Sequence, residues 1–270
     1  MKGGPRASGL GQRPNNLVGA RPEAPGPRPV RIAVLVSGHG TNLQSILDAC
    51  ARGEISGRVV VVASTTATAY ALVRARQAGV PAVVLAPRSF PDRQTYDARL
   101  AEVLQVHDID LVCLAGFLRI LTPAFVEQFR GRIMNIHPAL LPAFGGVGMY
   151  GPHVHEAVLA SGAKISGCTV HFVDETPDGG PIILQAAVPV RDDDSVESLA
   201  ARIAEEEHHL YPEAIRLFAE GRLRVVGKRT LMLDEREQRH RERSHAPDGA
   251  GRSVAISVAE ESATGLRPSQ

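Results

Sequence analysis

Between residues 30 and 234, short apolar runs rich in β-branched side chains alternate with stretches of helical periodicity, and this alternation restricts the chain to few folds. Residues 31–36 (RIAVLV) form a continuous apolar run, as expected of a strand covered on both faces. Residues 42–52 place Leu43, Ile46 and Leu47 at helical spacing. A β-branched run at 59–63, a helical stretch at 69–78 stopping at Gly79, and a strand at 82–85 follow. Residues 92–106 read as a helix with Tyr96, Leu100, Val103 and Leu104 on one side, and 110–115 and 133–136 as two more strands. Strand–helix–strand order of this kind implies parallel strands joined by right-handed crossovers. The pattern then changes. Residues 166–173 and 182–190 read as an antiparallel strand pair across the turn-rich stretch 174–181, and 194–220 as a long helix with Asp194 and Glu197 spaced as a capping-box variant. The predicted architecture is α/β and Rossmann-like: a mostly parallel central sheet, helices on both faces, and an antiparallel C-terminal addition.

The flanks differ in composition. Residues 1–29 hold six Gly, six Pro, five basic and one acidic residue, too many breakers for a packed element and no apolar core for a secretory signal. Residues 235–270 open with a charge run and drift into Ser, Ala, Gly and Pro. The expected division is a disordered extension at 1–29, one domain at 30–234 and a charged, disordered tail at 235–270. The whole chain carries a formal charge of +1, which argues against a nucleic-acid or polybasic membrane binder, and aromatic residues are only 4%, with no Trp. No run approaches the ~18 apolar residues of a membrane span. Cys50, Cys113 and Cys168 are odd in number, far apart and without a CxxC pair, as in a reducing compartment. A cytosolic globular protein, enzyme or binding module, is the class that remains.

In open α/β sheets ligands bind past the carboxyl ends of the strands, where four segments fall. Residues 37–42 (SGHGTN) join a strand to a helix N-terminus, whose free N–H groups and positive partial charge suit a phosphate. The loop lacks the third glycine of a dinucleotide fingerprint and the Lys of a Walker A loop, so a plain capped turn is the alternative. Residues 116–123 (GFLRILTP) set one Arg among apolar residues, an anion ligand or a surface ion pair. Residues 135–138 (NIHP) put Asn135 and His137 on one face of a strand. An amide donor beside an imidazole suits a carbonyl reaction, the one binding an oxyanion and the other moving a proton. Residues 174–181 (DETPDGGP) form an acidic turn, able to orient a histidine or simply to be solvated; the spacing is not that of a calcium loop. His153, His155, His208 and His209 lack metal-site spacing and read as surface or packing residues.

The ordered set VLVSGHGTNLQSILDAC, RARQAGV, LAGFLRILTPAFV, NIHPALLPAF, GCTVHFVDETPDGGPIILQ and EEHHLYP resembles the folate-dependent formyltransferase family, phosphoribosylglycinamide formyltransferase type, over residues 30–234. The resemblance implies transfer of formyl from 10-formyltetrahydrofolate to the amine of glycinamide ribonucleotide, in purine synthesis, without metal. It implies a catalytic trio of Asn135, His137 and Asp178. Gly40, Thr41, Asn42 and Glu207 match nucleotide-binding positions. Arg93, Leu118, Arg119, Ile120, Leu121, Asn135, Asp174 and Asp178 match folate-binding positions. A monomer or homodimer with small-molecule substrates, and no nucleic-acid or membrane partner, is the matching expectation. Two departures stand out. Thr65 follows Ser64 where the family often has Asn, and the Gly-rich stretch 145–153 is longer than the family's short loop, as in a mobile flap. The rival within the same chemistry is formyltetrahydrofolate deformylase, a hydrolase that usually carries an N-terminal regulatory domain and a His where Pro138 stands.

Overall fold

The structure, a computed structural model, describes residues 28–234, so the expectations for 1–27 and 235–270 lie outside the described residues. Nine strands form one sheet in the order β3-β2-β1-β4-β5-β6-β7-β9-β8. The strands are β1 (Val30–Val36), β2 (Gly57–Ser64), β3 (Ala82–Val84), β4 (Leu111–Leu114), β5 (Ile133–His137), β6 (Ile165–Phe172), β7 (Ile182–Pro189), β8 (Leu223–Val226) and β9 (Arg229–Met232). The helices are α1 (Thr41–Ala51), α2 (Ala71–Gln77), α3 (Arg93–Val106), α4 (Pro123–Gln128), α5 (Pro152–Ser161) and α6 (Val196–Ala219). Strands β1 to β5 are mutually parallel; β6 runs antiparallel to β5, and β7 antiparallel to β6. The expected architecture is the one observed.

The continuous apolar run of β1 is explained by two cores. Ile32, Val34 and Val36 point to one face, where Leu43 and Ile46 of α1 and Ile203, Tyr211 and Phe218 of α6 cover them. Ala33 and Leu35 point to the other, under Tyr96, Leu100 and Leu104 of α3 and Phe125 of α4. The Tyr211 hydroxyl donates to the carbonyls of Leu114 (3.1 Å) and Met134 (3.0 Å), so a buried polar atom pins α6 to the adjacent β4 and β5 beneath the site.

Three features depart from the sequence reading. Helices α4 and α5 and the β8–β9 hairpin are additional; the first two are short and begin at Pro, and the hairpin meets the sheet through one parallel pairing, Ile182 with Arg229. The cap of α6 sits one residue later than the Asp194–Glu197 spacing implies. The Ser195 hydroxyl accepts from Ser198 N (3.2 Å), and the Ser198 hydroxyl accepts from Ser195 N (2.9 Å). Asp194 is instead paired with Arg202 at 2.7 Å, which removes its carboxylate from capping. No helix among the described residues is long and apolar enough to cross a membrane.

Candidate active site

The carboxyl ends of β1, β4 and β5 open into one cavity of about 1000 Å³, large enough for two small-molecule substrates together. On one side lies the turn from β1 into α1. Gly40 caps α1 with φ of 72°, and a Cβ there would lie 2.6 Å from Ala71 Cβ, so only glycine lets α2 approach the turn. Thr41 and Asn42 line the cavity in the first turn of α1. The Asn42 amide donates to Glu207 Oε2 of α6 at 2.8 Å. Burial raises the Glu207 carboxyl above its usual range, and this one amide bond opposes the shift only in part.

The centre is built on β5. Asn135 and His137 alternate onto the cavity face, and the antiparallel register sets Asn135 opposite His171 of β6. The ring of His171 donates from Nδ1 to the Phe172 carbonyl (2.8 Å), and its Nε2 lies 3.1 Å from the Asn135 side-chain amide and 3.7 Å from Asp178 Oδ1. This contact holds the Asn135 side chain against β6. The His137 ring is buried, and its Nε2 lies 2.8 Å from the Phe144 carbonyl. A carbonyl only accepts, so this nitrogen carries a proton. The other ring nitrogen, Nδ1, faces Asp178 Oδ2 at 3.6 Å. Burial lowers the His137 pKa; the Asp178 charge and the Phe144 carbonyl pull it back up, and His171 adds to the lowering. Burial also works to raise the Asp178 carboxyl, but His171, His137 and the Gly146 N–H (2.9 Å) outweigh it and hold it ionised.

The remaining walls are the segment after β4 and the acidic turn after β6. Leu118 and Ile120 expose 60% and 47% of their surface at the cavity, an apolar face that a planar ring would cover. The Arg119 guanidinium lies 4.4 Å over the Tyr96 ring. In the turn, Asp174 accepts from Lys228 Nζ of the β8–β9 hairpin (2.7 Å) and from Thr176 N (2.9 Å). Asp178 has φ of 54°, a conformation that turns its carboxylate back toward the histidines.

The structure therefore brings Thr41, Asn42, Leu118, Arg119, Ile120, Leu121, Asn135, His137, Asp174, Asp178 and Glu207 to one cavity. Gly40 shapes its edge without lining it. Arg93 stands back at the start of α3, where its guanidinium donates to the Leu121 carbonyl at 3.4 Å. Two histidines have cavity positions that the sequence reading did not assign. His171 supports Asn135, a role that strand alternation from Thr169 to His171 foreshadows. His155, read as a surface or packing residue, is 6% exposed and lines the cavity from α5; burial lowers its pKa, and His137 adds to the lowering. Asn42 Oδ1, Arg119 Nε and His155 Nδ1 are buried without a protein partner, and all three residues line this cavity, as befits a place where polar ligand groups belong. The cysteines lie elsewhere, and burial raises Cys50 to about 11 and Cys168 to about 12, far from thiolate chemistry. Among the described residues, no group of three or more His, Cys, Asp and Glu is placed to hold a metal ion.

Residues 30–215 match the family model described as formyl transferase. Phosphoribosylglycinamide formyltransferase of Haemophilus influenzae is 46% identical over 195 residues, covering 72% of this chain and 90% of that protein. A solved structure of glycinamide ribonucleotide transformylase 1 from Symbiobacterium toebii is 55% identical, with a TM-score of 0.73, covering 76% of this chain and 94% of that one. A formyltetrahydrofolate deformylase from Pseudomonas syringae superimposes with a TM-score of 0.69 at 25% identity, covering 76% of this chain and 66% of that one.

Proposed function

The chain belongs to the formyl transferase family, and on that premise we propose that it transfers formyl from 10-formyltetrahydrofolate to the amine of glycinamide ribonucleotide. The observation that carries this reading is the arrangement of one cavity. Asn135, His137 and Asp178 stand at its centre, between a helix N-terminus suited to a phosphate and an apolar segment suited to a pterin.

In this reading the nucleotide phosphate sits at Gly40, Thr41 and Asn42, where the α1 N-terminus supplies N–H donors and partial positive charge. Glu207 accepts from the ribose hydroxyls. Leu118 to Leu121 line the pterin, and Asp174 and Arg93 lie toward the outer parts of the folate. The substrate amine attacks the formyl carbon and the carbonyl π pair moves onto oxygen. The Asn135 amide and the protonated Nε2 of His137 stabilise that oxyanion. The ammonium proton passes to the leaving folate nitrogen with His137 assisting. The carbon–nitrogen bond to folate then breaks, leaving tetrahydrofolate and formylglycinamide ribonucleotide. Asp178 holds the His137 ring and favours its charged form.

A cytoplasmic location fits a chain that uses these metabolites. The test is to incubate the purified chain with both substrates and follow the formylated nucleotide. Product that depends on the amine substrate supports the proposal; formate released at the same rate without that amine makes the protein a deformylase.

A further inference from the structure

The folate-side segment 116–120 belongs to no helix or strand, yet it forms one wall of the site. Among the described residues, its main chain makes a single hydrogen bond: Leu118 N–H donates to the Ser37 hydroxyl at 3.2 Å. Ser37 is the first residue after β1 and opens the nucleotide loop. Its hydroxyl oxygen also accepts from Thr65 Oγ1 at 2.9 Å, and Thr65 N donates to the Val36 carbonyl at 3.2 Å. Strands β2, β1 and β4 are adjacent in the sheet, so one hydroxyl joins the loops that leave three neighbouring strands. The nucleotide loop beyond Ser37 is itself held by α2. Ala71 N donates to the Gly38 carbonyl (3.2 Å), and Arg74 Nε donates to the His39 carbonyl (3.0 Å).

We propose that Ser37 is a positioning residue that couples the two substrate subsites, setting the folate segment through the Leu118 amide and being itself set by Thr65. Ser37 is absent from the cavity wall, so it acts through the segments it joins. A nucleotide that orders residues 38–42 also fixes the Ser37 oxygen, and with it the folate wall. A folate pressing on Leu118 stiffens the nucleotide loop by the same bond, as reciprocity between coupled sites requires. Thr65, which departs from the family's usual Asn, keeps a donor at this position in a shorter side chain.

The inference rests on the two-substrate reading above, and the experiment separates the two. Initial rates are measured with both substrates varied for wild type, Ser37→Ala, Thr65→Val and Thr65→Ser. Amide exchange is followed in parallel at residues 117–119. Ser37→Ala is expected to raise KM for both substrates by about two- to tenfold, the worth of one hydrogen bond, with kcat nearly unchanged. Exchange at Leu118 quickens in the same variant, and the factor by which either substrate tightens the other falls toward one. Thr65→Val shifts the same quantities less, and Thr65→Ser, which keeps the donor, restores wild-type values. A wild-type chain that forms no formylated nucleotide overturns the function. An active wild type whose Ser37→Ala variant keeps both KM values, mutual tightening and Leu118 exchange overturns the coupling alone. A lower melting temperature with untouched kinetics does so as well.

Discussion

His137 is held between two pulls. Burial favours the neutral ring, while Asp178 Oδ2 at 3.6 Å and the Phe144 carbonyl favour the charged one. Because the folded pKa lies below the ordinary 6.5, the ring contributes stability above that value and loses it as pH falls through the lower folded pKa. Replacing Asp178 with Asn removes the largest upward influence. His137 is then expected to titrate at still lower pH in the ring NMR signals of Asp178→Asn, while kcat drops about 10²-fold or more. A His137 titration unchanged by the substitution would show that the carboxylate does not act on the ring. Glu207 presents the opposite sign. Its carboxyl is raised by burial, so ionisation costs stability as pH rises above the ordinary 4.5 toward and through the folded value. Glu207→Gln is expected to melt higher than wild type at neutral pH, by about 2–4 °C for each kcal/mol relieved. The gain vanishes below pH 4.5, where both side chains are neutral. The same variant binds the nucleotide more weakly, and a variant that melts lower at neutral pH would refute the account of burial.

The segment between β5 and α5 acts on both central groups. Its Phe144 carbonyl accepts a hydrogen bond from His137 Nε2 at 2.8 Å, and its Gly146 amide donates to Asp178 Oδ2 at 2.9 Å. The oxyanion of the proposed intermediate needs that same Nε2 proton, so Phe144 has to yield its place when substrate enters. In this segment Gly146, Gly148 and Gly151 have φ of 95°, 89° and 54°, the left-handed region that favours glycine. A Cβ on Gly145 would lie 2.4 Å from Leu141 Cδ2 and 3.3 Å from Asp178 Cβ. Gly145→Ala is therefore expected to push the Leu141 side chain aside and shift Asp178 by a few tenths of an ångström, lowering kcat by up to about tenfold with far less effect on KM for the nucleotide; stopped-flow single turnover checks it, and an unaltered chemical step would exclude the coupling. How much of this was legible follows from the same elements. β1 announced itself because a strand covered on both faces must be apolar throughout, and α3 because Tyr96, Leu100 and Leu104 repeat at helical spacing. Asn135 and His137 were legible because alternation places them together. α4 and α5 were not, since six and ten residues starting at Pro carry too few periodic positions. His155 escaped because its burial comes from where α5 packs, and the latch of Phe144 on His137 because a main-chain carbonyl leaves no mark in the sequence.

At the scale of the molecule, charge and boundary meet at one residue. Residues 1–29 carry five of the basic side chains against one acidic, and residues 235–270 balance, so 30–234 is left near −3. On the proposed reading, a mildly acidic domain would hold the nucleotide phosphate by local donors at a helix end rather than by a general field. The boundary at residue 30 drawn from composition omits one contact that the structure supplies. Both terminal nitrogens of the Arg28 guanidinium donate to Asp110 at 2.8 Å, while Arg31 N holds Asp110 Oδ2 at 2.9 Å. The Asp110 side chain is only 8% exposed, so removal of Arg28 leaves a nearly buried carboxylate with one main-chain donor. That loss is worth about 1–3 kcal/mol for a charged group, tempered by the exposure of Arg28 itself. Two chains are compared, one spanning 28–234 and the other 30–234. Both are expected to carry out the reaction with the KM values of the full chain, because Asp110 stands at the start of β4, at the opposite end from the cavity. The shorter chain is expected to melt about 2–6 °C lower, at roughly 2–4 °C per kcal/mol for a domain of this size, with part of the difference abolished by high salt. Equal melting of the two chains would place the domain boundary at residue 30, and loss of activity in both would mean that the flanking segments contribute to the site.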